Sequence, residues 1–179
     1  MAVNWLTVGG VIAYPSESVF GIGCDPHNHR AIEQLLYLKK RSTDKGLILV
    51  ASSMEQLQPF IQPLDRRLVD KVSKTWPGPT TWLLPSNLKT SPLLRGSHVL
   101  QAVRVSNHPI IISLCNQFGG PIVSTSANIS NKPASTSIQQ IRQQFGTSLD
   151  YLLSGKLGGL SKPCEIRNAI TDDVIRSGS

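Results

Sequence analysis

Apolar and polar positions follow two periods along this chain. Residues 11–14 form a short apolar run stopped by Pro15, and residues 46–51 and 121–124 are continuous apolar stretches of strand length, the kind buried on both faces of a sheet. Residues 80–84 and 99–105 also read as strands, the second with Arg104 set between Val103 and Val105. Between these runs the spacing changes to three and four. Ile32, Leu35, Leu36 and Lys39 share one face of a helix predicted over residues 30–40, and Leu64, Leu68, Val69 and Val72 share a face over 65–76, where Trp76-Pro77-Gly78-Pro79 ends it. Ser52 or Ser53 predicts a capped helix over 54–61, Pro109 opens one over 109–118, and Gly146 closes one over 137–145. Residues 20–23 read as a glycine-punctuated segment, 86–97 as a polar loop, 155–159 as a flexible glycine loop, and 165–170 and 174–176 as short strands. Strands alternating with helices, without repeat or linker, predict one α/β domain over 1–179 built on a mixed sheet.

Two segments interrupt the pattern with chemistry. After Pro121-Ile122-Val123 the chain turns abruptly to Ser124-Thr125-Ser126-Ala127-Asn128, as if a buried strand delivered its carboxyl end to a loop of hydrogen-bonding groups. Upstream, Lys39 to Gly46 places Lys39, Lys40, Arg41 and Lys45 within seven residues at the end of a helical pattern. Hydroxyls and clustered cations together suit a polyanion such as a nucleoside triphosphate. A solvated helix end and an ordinary Ser/Asn turn are the plainer alternatives. Arg104 is either a surface-paired strand residue or a fork for a substrate carboxylate.

Composition narrows the classes. The chain has 179 residues, 40% hydrophobic and 16% charged, enough for one core and too apolar for disorder. Eighteen Lys and Arg against 11 Asp and Glu give a formal charge of +7, which favours phosphates, nucleotides or nucleic acid without choosing among them. Cys24, Cys115 and Cys164 are scattered and odd in number, so neither a disulfide framework nor a zinc knuckle is indicated, and a reducing cytoplasm fits. No signal peptide or membrane span is legible. His27 and His29 lack supporting ligands for a metal site, Gly21-Ile22-Gly23 lacks the third glycine of a dinucleotide fingerprint, and no phosphate-binding P-loop motif occurs.

In order, AYPSESVFGIGCDP, LKKRSTDKGLIL, WPGPTTWLLP, AVRVSNHP, PIVSTSANIS and VIRSG resemble the YrdC/TsaC family of threonylcarbamoyl-AMP synthases, from about Val11 to Gly178. The resemblance implies a YrdC-like twisted mixed sheet with flanking helices and a positively charged concave face. It implies formation of L-threonylcarbamoyladenylate and pyrophosphate from L-threonine, bicarbonate or CO2, and ATP, with downstream transfer proteins placing the group on adenosine 37 of tRNA. Residue by residue it assigns Lys39, Arg41, Ser126 and Asn128 to catalysis at the nucleotide, with Lys45 and Arg176 also on ATP, and Ser16, Arg104 and Ser124 to threonine. Mg2+ would ride on the triphosphate, with no protein metal site. Loss of Lys39 or Arg41 is expected to impair ATP use and largely spare the fold. The chain departs from the family at Ser16 (commonly Thr), Ser42 (Pro), Asn131 (Gly) and Cys164 (Ser), and its amino terminus reads as about a dozen residues short, without an opening helix. A different class of function, a basic module binding double-stranded RNA, tRNA or rRNA, is permitted by the charge; with 6% aromatic residues, recognition of single strands by stacking is unsupported.

Overall fold

The side-chain period of two decides where this fold leaves room for a ligand. The computed structural model describes residues 1–178. Nine strands form one mixed sheet: β1 (Ile12–Pro15), β2 (Phe20–Gly23), β3 (Ile48–Ala51), β4 (Thr81–Pro85), β5 (Leu100–Val105), β6 (Ile122–Ser126), β7 (Tyr151–Leu152), β8 (Ile166–Asn168) and β9 (Val174–Arg176), in the order β7-β1-β2-β6-β3-β5-β4-β8-β9. Only the β1/β7, β3/β5 and β4/β8 pairs are parallel. Among the described residues six α-helices flank it: α1 (Ala2–Thr7), α2 (His29–Lys39), α3 (Arg66–Ser73), α4 (Pro92–Arg95), α5 (Pro109–Phe118) and α6 (Ile138–Phe145).

On one face Val11, Ala13, Ile22, Leu49, Ala51, Val103 and Val123 pack against Ile32 and Leu35 of α2, Val72 of α3 and Ile141 and Phe145 of α6. On the other, Ile12, Tyr14, Val50 and Ile122 pack against Ala2 and Leu6 of α1 and Ile111 and Leu114 of α5. The α1/α5 layer covers only one end of this second face. Two residues along each strand from its covered positions stand Ile48 from Val50 and Ser124 from Ile122, with Ser126 beyond, and these face open space rather than the α1/α5 layer.

Several expectations are corrected. An opening helix is present: α1 is fastened by Leu6, fully buried, with Ala2 one turn earlier. Residues Glu55–Phe60 form a 3-10 helix rather than an α-helix, with Pro59 inside it. The second helix ends at Ser73, short of Trp76, and the polar stretch 86–97 contains α4, capped by Ser91 with Pro92 in its first turn. Residues 20–23 are a full strand, antiparallel to β1, and the two-residue β7 falls in a stretch the apolar pattern does not mark. Among the described residues no helix is long and apolar enough to cross a membrane.

Candidate active site

The uncovered end of the sheet is the floor of a cavity of about 780 Å³, within the range of about 300–1,000 Å³ typical of small-molecule sites. Gly21, Ile48, Leu83, Ala102, Arg104, Ser124, Ser126 and Ile166, all on the same side of their strands, line it. Arg41, Lys45, Arg95, Arg104, Lys132 and Arg176 contribute six cations, and among the described residues no carboxylate lines it. The tight crossing of two glycines builds one rim. Gly46 (φ 62°) and Gly96 (φ 66°) pass so close that a Cβ on Gly96 would lie 2.6 Å from Gly46 N, which sets Lys45 and Arg95 side by side.

The basic segment divides at the end of α2. Lys39 continues the apolar face of Ile32, Leu35 and Leu36 and is 2% exposed. Its Nζ donates to Ser126 O, to Asn128 O at 2.8 Å and to Asn128 Oδ1 at 3.3 Å, and burial, with Arg41 beside it, pushes its pKa down to about 7. Lys39 is therefore behind the cavity wall and does not line the cavity. Lys40 then takes a left-handed conformation (φ 50°), the chain turns, and Arg41 faces the cavity with Nη2 donating to Gly46 O at 3.0 Å and Lys45 O at 3.4 Å. Its Nε is buried without a partner.

The hydroxyl segment is strand as far as Ser126, a correction to its reading as loop. The hydroxyls of Ser124 and Ser126 project from β6 toward the cavity, so a polar strand face had looked like a turn. Ser126 Oγ donates to Asn128 Oδ1 at 2.6 Å, and Asn128 Nδ2 donates to Ile129 O at 3.0 Å and Lys132 O at 2.8 Å. Lys39, Ser126 and Asn128 thus form one network.

Arg104 stands where α5 stops covering the sheet. It is 5% exposed, and its Nη2 pairs with Glu17 Oε2 at 3.2 Å while its Nε is buried and unpartnered. Ser16 lines the cavity nearby and its hydroxyl donates to Val19 O at 2.6 Å. Arg176, on β9, donates from Nη2 and Nε to Cys164 O at 2.6 and 3.1 Å; burial pushes the Cys164 thiol up. Every site residue read from the sequence except Lys39 is on the cavity wall. Sequence reasoning missed Arg95, His98 and Lys132 on that wall and Glu17 behind Arg104. Lys132, four residues beyond Asn128, and Glu17, a lone acid beside Ser16, were the available signals.

Residues 4–178 match the Sua5, YciO and YrdC family model, described as telomere recombination, and the chain belongs to that family. Among its relatives is the threonylcarbamoyl-AMP synthase of Photobacterium profundum, 49% identical over 180 residues that cover 98% of this chain and 96% of the relative. The P. abyssi Sua5 structure complexed with L-threonine superposes with a TM-score of 0.91 at 27% identity over 99% of this chain, which spans about half (53%) of that longer one. E. coli YciO gives a TM-score of 0.82 at 25% identity, covering 99% and 87% of the two chains.

Proposed function

We infer that this chain is a threonylcarbamoyl-AMP synthase, joining L-threonine, bicarbonate or CO2, and ATP into L-threonylcarbamoyladenylate and pyrophosphate for tRNA N6-threonylcarbamoyladenosine. The observation that carries this beyond family membership is the cavity itself, whose wall, among the described residues, holds six cations, hydroxyls and no carboxylate. The threonine amine adds to CO2 and loses a proton, giving a carbamate. A carbamate oxygen then attacks the α-phosphorus in line as the bond to pyrophosphate breaks. No protein nucleophile takes part, so the protein's work is to hold anions together and neutralise charge that grows on the leaving oxygens.

Arg41, Lys45, Ser126, Asn128 and Arg176 take the nucleotide on a positively charged concave face, and Lys39 adds its charge from behind the Ser126–Asn128 segment. Ser16, Ser124 and Arg104 take threonine. Ser124 and Arg104 flank β3 on the same face of the sheet, about 12 Å apart across two strand spacings and two residues of offset, a span the long arginine side chain and a bound amino acid close together. Mg2+ fits the triphosphate oxygens better than this wall, which offers it no carboxylate. The product passes to transfer proteins acting on tRNA; the alternative of a double-stranded RNA-binding module has only the net charge of +7 in its favour. Incubation of the pure protein with ATP, threonine and labelled bicarbonate should yield pyrophosphate and a labelled adenylate in equal amounts, both dependent on threonine. ATP turnover to ADP and phosphate, or none, would refute the assignment.

A further inference from the structure

We propose that Glu17 is a positioning residue for threonine binding: it holds the Arg104 guanidinium in one orientation at the cavity wall. This rests on the reading that Arg104 takes the threonine carboxylate. Glu17 sits in the β1–β2 connection, is 3% exposed and does not line the cavity, so it acts only through another group. Each of its oxygens has a single partner. Oε2 accepts from Arg104 Nη2 at 3.2 Å, and Oε1 accepts from Ser106 Oγ at 2.6 Å. The Ser106 hydroxyl is itself fixed, because its oxygen accepts from His108 N at 3.0 Å. The main chain is pinned as well, with Ser16 O and Glu17 O accepting from Gly158 N and Leu160 N at 2.9 and 3.0 Å.

An ion pair built only for stability would take the arginine side-on, through two parallel donors. Here one Nη is engaged and the buried Nε has no partner among the described residues, so Glu17 takes only part of the guanidinium's hydrogen-bonding capacity. The guanidinium is planar, so fixing Nη2 fixes the directions of the remaining donors. Free of Glu17, the side chain would have to find that orientation anew each time threonine binds, and the loss would fall on threonine rather than on nucleotide.

The test is steady-state kinetics on Glu17→Ala, Glu17→Gln, Ser106→Ala and Arg104→Lys, with KM for threonine and for ATP measured separately, alongside melting temperatures. Glu17→Ala should raise threonine KM by about tenfold or more and leave ATP KM within about twofold, while Glu17→Gln, which keeps an acceptor for Arg104, restores most of the loss. Ser106→Ala removes one of the two anchors and should raise threonine KM by about threefold. A Glu17→Ala protein that melts lower but keeps wild-type threonine KM in its folded fraction, or that loses threonine and ATP affinity equally, overturns the proposal. If Glu17→Ala does not fold, an unchanged threonine KM in Ser106→Ala overturns it. Arg104→Lys separates the two ideas: unchanged threonine KM there defeats the role of Arg104, whereas a raised KM there with none in the Glu17 and Ser106 variants defeats only that of Glu17.

Discussion

Lys39→Met keeps most of the buried side-chain volume and removes the ammonium that ties α2 to the segment after β6. Three oxygens lose this donor. Ser126 O keeps the Asn128 N–H at 2.9 Å and Asn128 Oδ1 keeps the Ser126 hydroxyl at 2.6 Å, but Asn128 O loses its one partner among the described residues. A part-buried acceptor left bare costs about 1–3 kcal/mol, and release from burying a cation offsets part of it, so the net loss is about 1 kcal/mol. Lys39→Ala also removes three buried methylenes at about 0.8 kcal/mol each, for a total of about 3 kcal/mol. At about 2–4 °C per kcal/mol for a chain of this size, the alanine variant should melt about 10 °C lower. Arg41→Ala, on a half-buried side chain, should stay within about 0.5 kcal/mol of wild type.

The same burial sets a pH signature. Lys39 has its pKa lowered from 10.5 to about 7 in the folded protein, so between those values the unfolded chain binds the extra proton. The stability that Lys39 contributes therefore rises as pH climbs from about 7 toward about 10.5, and Lys39→Met lacks that rise. Urea unfolding of both proteins near pH 6.5 and near pH 9 should show the gap between them widening with pH. A gap that narrows, or a Lys39→Ala protein that melts with wild type, would refute the placement of Lys39 as a buried tie, and with it the revision of the expectation that its loss spares the fold.

Arg41→Ala should slow pyrophosphate release at subsaturating ATP by about ten- to a hundredfold without lowering the melting temperature, and wild-type rates would remove Arg41 from the nucleotide side. Arg104→Lys keeps the charge and loses the fork, so threonine KM should rise about tenfold with ATP KM little changed; threonine amide should be a poor substrate that loses less on mutation. Gly23→Ala would put a Cβ 2.0 Å from Val123 O, and soluble, active protein from that variant would contradict the close approach of β2 to β6.

Strands buried on both faces were the most legible part of the chain, because β3 and the start of β6 carry apolar side chains at every position. The cavity floor was harder to read for the opposite reason. On β6, Ile122 meets α5 and Ser124 and Ser126 meet the cavity, so a change of environment along one strand face looked like the end of the strand. α4 is four residues long and exposes as much as it buries, which leaves no periodicity to detect. Lys39 showed its place in the helical spacing and hid its role, since its position on the apolar face was legible and its three oxygen partners, 87 and 89 residues away, were not. Glu17 and Arg104 are likewise 87 residues apart, and only the sheet brings them together.

How the cations are held bears on which anion each can take. Lys39 is held by Ser126 O and Asn128 O, Arg41 by Lys45 O and Gly46 O, Arg95 by His98 O and Arg176 by Cys164 O. Carbonyl dipoles fix the direction of a cation without cancelling its charge, so the three arginines keep their full charge for a triphosphate, which carries several negative charges, while buried Lys39, with its pKa near 7, is only partly charged at neutral pH. Arg104 alone among the described cations of the site is paired with a carboxylate. The Glu17–Arg104 pair is neutral overall, with little to draw a polyphosphate inward, yet the arginine's remaining donors still match one carboxylate in geometry. On the proposed assignment the site can therefore sort its ligands by charge: the triphosphate is drawn to the cations that carbonyls hold, and the carboxylate of the zwitterionic amino acid is left the one cation whose charge the fold has already met.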